Sequence, residues 1–145
     1  MTTTRADLYK KTKRSNPFIY LGLVELKKGR RLVIQKSPVV DIIKGLLPKY
    51  YGVNFEDINT SSRQLEICYI KHHFISLVRE TTIISLKSIG AIFDYKEGGV
   101  DHSTVINSIT AWNNLLSYDI NKQQIHAEYL NEVKQIKALT IKPLI

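Results

Sequence analysis

Cysteine and long apolar runs are scarce in this chain, and their scarcity excludes several classes of protein. Its 145 residues include a single cysteine, Cys68, which excludes an internal disulfide and a zinc site built from several thiolates. No apolar run approaches the roughly 20 residues that a transmembrane helix needs. The opening MTTTRADLYKKTKR has no apolar stretch after its charges, unlike a secretory signal. We therefore expect no membrane partner and a reducing, cytoplasmic location.

Acidic residues are also scarce in the first quarter of the chain. Residues 1–36 carry ten Lys or Arg and two Asp or Glu, a net charge of +8, whereas residues 37–145 carry eleven of each sign. The excess predicts a basic arm that contacts phosphate, and a plain solvated tail is the alternative. The cations of this arm are Lys10, Lys11, Lys13, Arg14, Lys27, Lys28, Arg30 and Arg31.

The pattern along the chain predicts a hairpin followed by helices. Two β-prone runs, Phe18–Leu26 and Arg31–Gln35, flank a loop that contains Gly29. Ser37-Pro38 is typical of a helix start, and apolar residues follow at helical spacing. The predicted helices cover 38–51, 55–58, 63–80, 86–93, 102–116 and 122–138. We expect four parts: a flexible arm (1–16), a β-hairpin (17–36), a helical domain (37–138) and a tail (139–145).

Residues 86–116 have the layout of a helix-turn-helix. A short helix is joined by a Gly-containing loop to a longer one that opens with Asp101 as its cap. His102, Ser103 and Thr104 form the first turn of the second helix, where side chains can exchange hydrogen bonds with base edges. The layout alone is also that of a simple packing unit.

Several motifs make the helix-turn-helix prediction more specific. LKSIG at 86–90, Phe93 and GGVDHSTV at 98–105 resemble the signature of the C-terminal DNA-binding domain of the bacterial replication initiator DnaA. Upstream, LVRE at 77–80, YYGV at 50–53 and EDI at 56–58 resemble other motifs of that family in the same order. The resemblance covers about residues 38–137. It implies a mainly α fold, a helix-turn-helix bundle of the DnaA C-terminal or Trp-repressor-like type.

The resemblance also implies roles for individual residues. Positions that read bases in the major groove correspond to Asp101, His102, Ser103 and Thr104. The position of the arginine that enters the adjacent minor groove in that family corresponds to Arg63. Narrow A·T-rich grooves attract such a side chain through their negative potential. Phosphate-contacting positions correspond to Lys71, His72, Arg79 and Lys87, which would set register without reading sequence.

The sequence departs from the family pattern at several places. The loop before the long helix, residues 59–63, has one charged residue where the family has several basic ones. Val100 stands where the family has arginine, and the turn is about four residues longer, at 94–97. There is no G-x-x-x-x-G-K-[ST] motif, so we expect no ATPase module and no bound nucleotide.

Other side chains have ordinary structural interpretations. His72 and His73 are neighbours on a helix and point in different directions, with no third ligand at helical spacing, so we expect no metal and no cofactor. His126 is expected at the surface, and Leu65 is expected in the core. Nothing in the sequence indicates catalysis.

We expect a protein that binds double-stranded DNA with sequence preference, in replication or in regulation. A mobile-element or phage origin would suit such a reader. The hairpin could also dock a replication initiator or another protein. One alternative is a protein-interaction module on the same fold that has lost DNA binding, which the sparse basic loop favours. Another is a non-specific binder in which only the arm contacts nucleic acid.

Overall fold

A computed structural model describes residues 20–25 and 31–140 of the chain. Within these residues the chain forms two strands and six helices. The strands are β1 (Tyr20–Glu25) and β2 (Arg31–Lys36). The helices are α1 (Pro38–Tyr51), α2 (Phe55–Ile58), α3 (Leu65–Thr81), α4 (Leu86–Ala91), α5 (His102–Leu116) and α6 (Ile120–Thr140). The mainly helical fold expected from the sequence is confirmed.

The two strands pair with each other as an antiparallel ladder. Tyr20 lies opposite Lys36 and Glu25 lies opposite Arg31, so the ladder is continuous over six residues of each strand. A two-stranded sheet is marginal on its own in water and needs a packing partner. That partner is α4, against which β2 packs.

Helix α1 begins and ends at the residues that the sequence indicates. The Ser37 hydroxyl accepts from the amide of Val39, and Pro38 occupies the first helical position. Gly52 ends the helix with a φ of 70°, in the left-handed region. Pro48 lies inside the last turn and does not divide the helix.

Three expectations about the other helices are wrong. Helix α4 ends at Ala91 rather than at residue 93. Helix α6 begins at Ile120 because the Asp119 carboxylate accepts from the amide of Lys122, and it continues through residue 140, beyond the predicted start of the tail at 139. Leu65, expected in the core, is 64% exposed because α3 buries side chains only from Ile70 onward.

The core lies where α1, α3, α5 and α6 meet. Buried apolar residues come from every helix, and they include Ile43, Leu47, Ile58, Phe74, Leu77, Val78, Ile89, Phe93, Val105, Trp112, Tyr129 and Val133. Helix α6 is fastened to α1 through Tyr129, whose hydroxyl donates to the carbonyl of Ile43 at 2.5 Å and whose ring stacks on Tyr50. In the described residues, no helix is both long enough and apolar enough to cross a membrane.

Candidate nucleic-acid interface

Helices α4 and α5 meet at two glycines that leave no room for a side chain. A Cβ on Gly90 would lie 2.2 Å from the carbonyl oxygen of Val100, whose amide donates to the Gly90 carbonyl at 3.0 Å. A Cβ on Gly99 would lie 2.5 Å from the Cα of Ala91, and Gly99 has a φ of 83°. The close approach fixes the angle between the two helices and therefore the direction in which the start of α5 points.

The four predicted base-reading residues lie together at the exposed start of α5. Asp101, His102, Ser103 and Thr104 are all exposed, whereas the next residue, Val105, is fully buried. The side chain of His102 is 50% exposed. A row of hydroxyl, imidazole and carboxylate groups is therefore open to solvent on a helix whose other face is held in the core.

Asp101 occupies the N-cap position of α5, as the sequence predicts, but its side chain makes no capping hydrogen bond to the helix. A hydrogen bond from the Ser103 hydroxyl, followed by the nearby His102 ring, holds the pKa of its carboxyl below the usual range. The carboxylate thus stays ionised and exposed beside the histidine, with Nδ1 of His102 3.4 Å from Oδ1 of Asp101.

Three of the predicted DNA-contacting cations lie on the surface around α3 and α4. Arg63 is exposed in the segment that precedes α3, Arg79 is exposed in the last turn of α3, and Lys87 is exposed as the second residue of α4. The contacts of these side chains with DNA remain predictions.

Lys71 and His72 lie in less open surroundings than the phosphate-contact assignment implies. The Lys71 ammonium donates to the carbonyl of Thr60 and lies 5.1 Å above the ring of Tyr95. His72 is half-buried, its Nδ1 has no hydrogen-bond partner among the described residues, and burial lowers the pKa of its ring. Their phosphate contacts stay predictions, while Lys71 has a contact within the protein that the sequence did not indicate.

The basic arm lies mostly outside the described residues. This holds for Lys10, Lys11, Lys13, Arg14, Lys27, Lys28 and Arg30, whereas Arg31 is described as the first residue of β2. The DNA contacts predicted for the arm therefore stay predictions.

A buried glutamine fastens the hairpin to the helix-turn-helix. The backbone amide of Gln35 in β2 donates to the Ser88 hydroxyl at 2.8 Å. The side-chain oxygen of Gln35 accepts from the backbone amide of Ser85 at 2.6 Å. Gln35 and Ser88 are 5% and 1% exposed. Because the two partners are about 50 residues apart in sequence, no local pattern could have indicated this contact.

His126 is half-buried, whereas the sequence predicts it at the surface. Its side chain is 14% exposed, with Nε2 3.2 Å from the Glu80 carboxylate and Nδ1 3.0 Å from Nε2 of His73. A carboxylate only accepts, so His126 donates to Glu80, while the His73 ring is hydrogen-bonded through Nε2 to His126 and through Nδ1 to the Tyr51 hydroxyl, 2.5 Å away. This chain of bonds joins α1, α3 and α6.

The described residues contain no group of three side chains suited to holding a metal ion. Helices α4 and α5 are held by hydrogen bonds and apolar packing, and the polar side chains of residues 101–104 are exposed to solvent. Such an arrangement can bind a polar surface.

Residues 40–111 match the family described as "Bacterial dnaA protein helix-turn-helix". The chain contains a helix-turn-helix domain of the DnaA C-terminal family. The chromosomal replication initiator DnaA of Neisseria meningitidis serogroup C is 35% identical over 82 residues, which are 55% of this chain and 15% of that protein. DnaA of Thermoanaerobacter sp. strain X514 is 30% identical over 96 residues, 66% of this chain and 20% of that protein.

The chain thus spans a fifth or less of the length of these DnaA relatives. The matched family is a helix-turn-helix family and not a catalytic one, and it supports DNA binding related to that of DnaA as the function class. The match includes α4, the turn and the exposed start of α5.

Proposed function

We propose that this chain binds double-stranded DNA with sequence preference through the start of α5. The observation that carries the proposal is the exposure of Asp101, His102, Ser103 and Thr104 on a helix whose entry is fixed by the contacts of Gly90 and Gly99. In a helix-turn-helix the first residues of the second helix enter the major groove, where such groups discriminate between base pairs.

The adjacent minor groove is then contacted by Arg63, and the phosphates by Arg79 and Lys87. These contacts set the register of α5 on the duplex. Residues 37–145 have no net charge, so most of the electrostatic attraction comes from the basic arm in residues 1–36. We assign the arm to affinity and α5 to sequence discrimination.

The biological role that we propose is replication-related or regulatory. The chromosomal replication initiators that the chain resembles support it. The chain would compete for, or mark, sites of the kind that a DnaA C-terminal domain reads, in a compartment that holds bacterial or phage DNA. A replication initiator that docks on the hairpin is a further element of this role.

The test is selection from a random duplex pool, followed by affinity measurements at several salt concentrations. We expect an enriched motif, and we expect His102→Ala to lose about 1–3 kcal/mol of binding free energy at the base that it reads. Asn114→Ala is the matched control, because this exposed residue of the same helix lies twelve residues, about 18 Å, from the reading end.

A second variant separates affinity from discrimination. Removal of residues 1–16 is expected to weaken binding to all sequences alike and to flatten the dependence of affinity on salt. A pool with no enriched motif would refute sequence-specific binding. Salt-dependent binding without a motif would favour the non-specific binder, and no binding at all would favour the protein-interaction module.

A further inference from the structure

The segment that carries Arg63 and the turn between α4 and α5 are joined by a group of polar contacts. The Asn59 amide nitrogen donates to the Asp94 carboxylate at 2.7 Å, and the Asn59 amide oxygen accepts from the backbone amide of Tyr95 at 3.4 Å. Lys71 adds a third link, because its ammonium binds the carbonyl next to Asn59, that of Thr60, and lies over the Tyr95 ring. We call these contacts the brace.

Both ends of the brace are anchored in the core. The backbone amide of Asn59 donates to the carbonyl of Phe55 at 2.9 Å and closes α2. The ring of Phe55 contacts that of Phe93, the buried residue directly before Asp94, with centroids 5.4 Å apart. The same aromatic contact therefore holds together the two segments that Asn59 joins through its hydrogen bonds to Asp94 and Tyr95.

The brace continues in both directions toward residues of the proposed interface. On one side, the Ser62 amide donates to the Thr60 hydroxyl and the Gln64 amide to the Ser62 hydroxyl, so the backbone on both sides of Arg63 is tied down. On the other side, the Gly99 amide donates to the carbonyl of Lys96 at 2.8 Å and closes the turn two residues before Asp101.

Asn59, Asp94 and Tyr95 lie in the two segments, 59–63 and 94–97, in which the sequence departs from the DnaA pattern that it resembles. Residues 59–63 carry one positive charge where that pattern has several, and the turn is about four residues longer. The longer turn holds the weakly charged segment in place by neutral and charge-assisted hydrogen bonds, so the segment is ordered before it meets DNA. Preordering reduces the entropy lost on binding.

We propose that the brace of Asn59, Lys71, Asp94 and Tyr95 fixes the distance between Arg63 and the reading residues of α5. The brace thereby sets the spacing between a minor-groove A·T-rich part and a major-groove part of one DNA site. The inference rests on the proposed function. The four residues are positioning residues, since they act on the DNA site through Arg63 and α5.

The experiment measures how strictly the spacing of the site is kept. The wild-type chain is used to select a site, and its affinity is then compared for that site and for the same site with one base pair inserted between its two parts. We expect the insertion to cost the wild-type chain about tenfold in affinity, as for one mismatched base pair. In Asn59→Ala, which removes the two hydrogen bonds that the Asn59 side chain makes, the cost is expected to fall below about threefold, which is well under the cost of a mismatch.

Two variants serve as controls. Asp94→Asn keeps an oxygen that can accept from Asn59, so it is expected to keep the wild-type spacing penalty. Asn131→Ala changes an exposed asparagine of α6 and is expected to leave both affinity and penalty unchanged. A purely structural role of Asn59 would lower the midpoint of thermal unfolding and leave the ratio of the two affinities as it is in the wild type.

The outcomes separate the two proposals. If the wild-type chain selects no site, the proposed function is wrong and the brace has no role in it. If the wild-type chain selects a site and Asn59→Ala keeps the full spacing penalty, only the brace inference is overturned. Amide hydrogen exchange at Tyr95 in the free chain adds a reading without DNA: it is expected to be faster in Asn59→Ala, and an unchanged rate would overturn the brace.

Discussion

The buried ring of His73 makes the stability of this fold depend on pH. Its ring is fully buried on α3 and stacks on Trp112, with centroids 4.1 Å apart. Burial, and then the nearby His126 and Lys122, lower the pKa of the ring to about 2. Both ring nitrogens already have a hydrogen-bond partner within the protein, Nδ1 with the Tyr51 hydroxyl and Nε2 with Nδ1 of His126.

The size of the effect follows from proton linkage. In the unfolded chain a histidine has a pKa near 6.5, so below that pH the unfolded state binds a proton that His73 in the folded state does not. The contribution of the buried, neutral His73 ring to the free energy of unfolding is fully present above about pH 6.5. It is lost as the pH falls toward 2, by about 1.4 kcal/mol per pH unit. Between pH 7.5 and 5.0 the loss is about 2 kcal/mol, a large part of the 5–15 kcal/mol typical of a domain.

Urea denaturation at pH 7.5, 6.0 and 5.0 measures this loss. His73→Gln keeps a donor and an acceptor but does not titrate, so we expect a lower free energy of unfolding at pH 7.5 and a dependence on pH flatter by about 2 kcal/mol over this range. His72, whose pKa is also lowered by burial, contributes in the same direction and remains in the variant. Asn131→Gln, an exposed change that removes no titratable group, is the control and should keep the wild-type slope. Equal slopes for wild type and His73→Gln would refute the reasoning.

Two further predictions test the packing that holds the interface. Gly90→Ala places a Cβ against the carbonyl of Val100 and should lower the free energy of unfolding by about 1–3 kcal/mol, whereas Gly45→Ala, in open space on α1, should raise it by about 0.5–1 kcal/mol. A thermal unfolding curve for Gly90→Ala that overlays the wild type would show that the close approach is not required. Tyr129→Phe removes a hydrogen bond to a buried main-chain carbonyl of α1 and should cost about 1–3 kcal/mol, while Tyr118→Phe, 71% exposed, should cost nothing measurable in the same urea titration.

Local sequence signals predicted the elements that depend on neighbours in the chain. Ser37 and Pro38 start α1 and Gly52 ends it, because caps act within one turn, and α5 begins directly after Asp101 as the sequence predicts. The apolar periodicity alone predicts a start of α6 at residue 122, whereas the carboxylate of Asp119 starts the helix two residues earlier, at Ile120.

Contacts between distant segments could not be predicted from one sequence. The bond from Asn59 to Asp94 spans 35 residues and that from Gln35 to Ser88 spans 53, and each of these residues is a polar side chain of a kind usually solvated. The sequence predicts His126 at the surface for the same reason. It is half-buried because α6 packs against α3 beside Glu80, which is a property of the packed bundle.

The missed contacts share a consequence for how this domain would bind DNA. The hairpin is fastened to α4 by Gln35, and the segment before α3 is fastened to the turn by Asn59. Neither of these hydrogen bonds uses a lysine or arginine side chain. A domain with no net charge attracts a polyanion weakly, so it gains from surfaces that need no reordering on contact. Long-range attraction is then left to the basic residues before residue 37, and the geometry of the helical domain can serve discrimination alone.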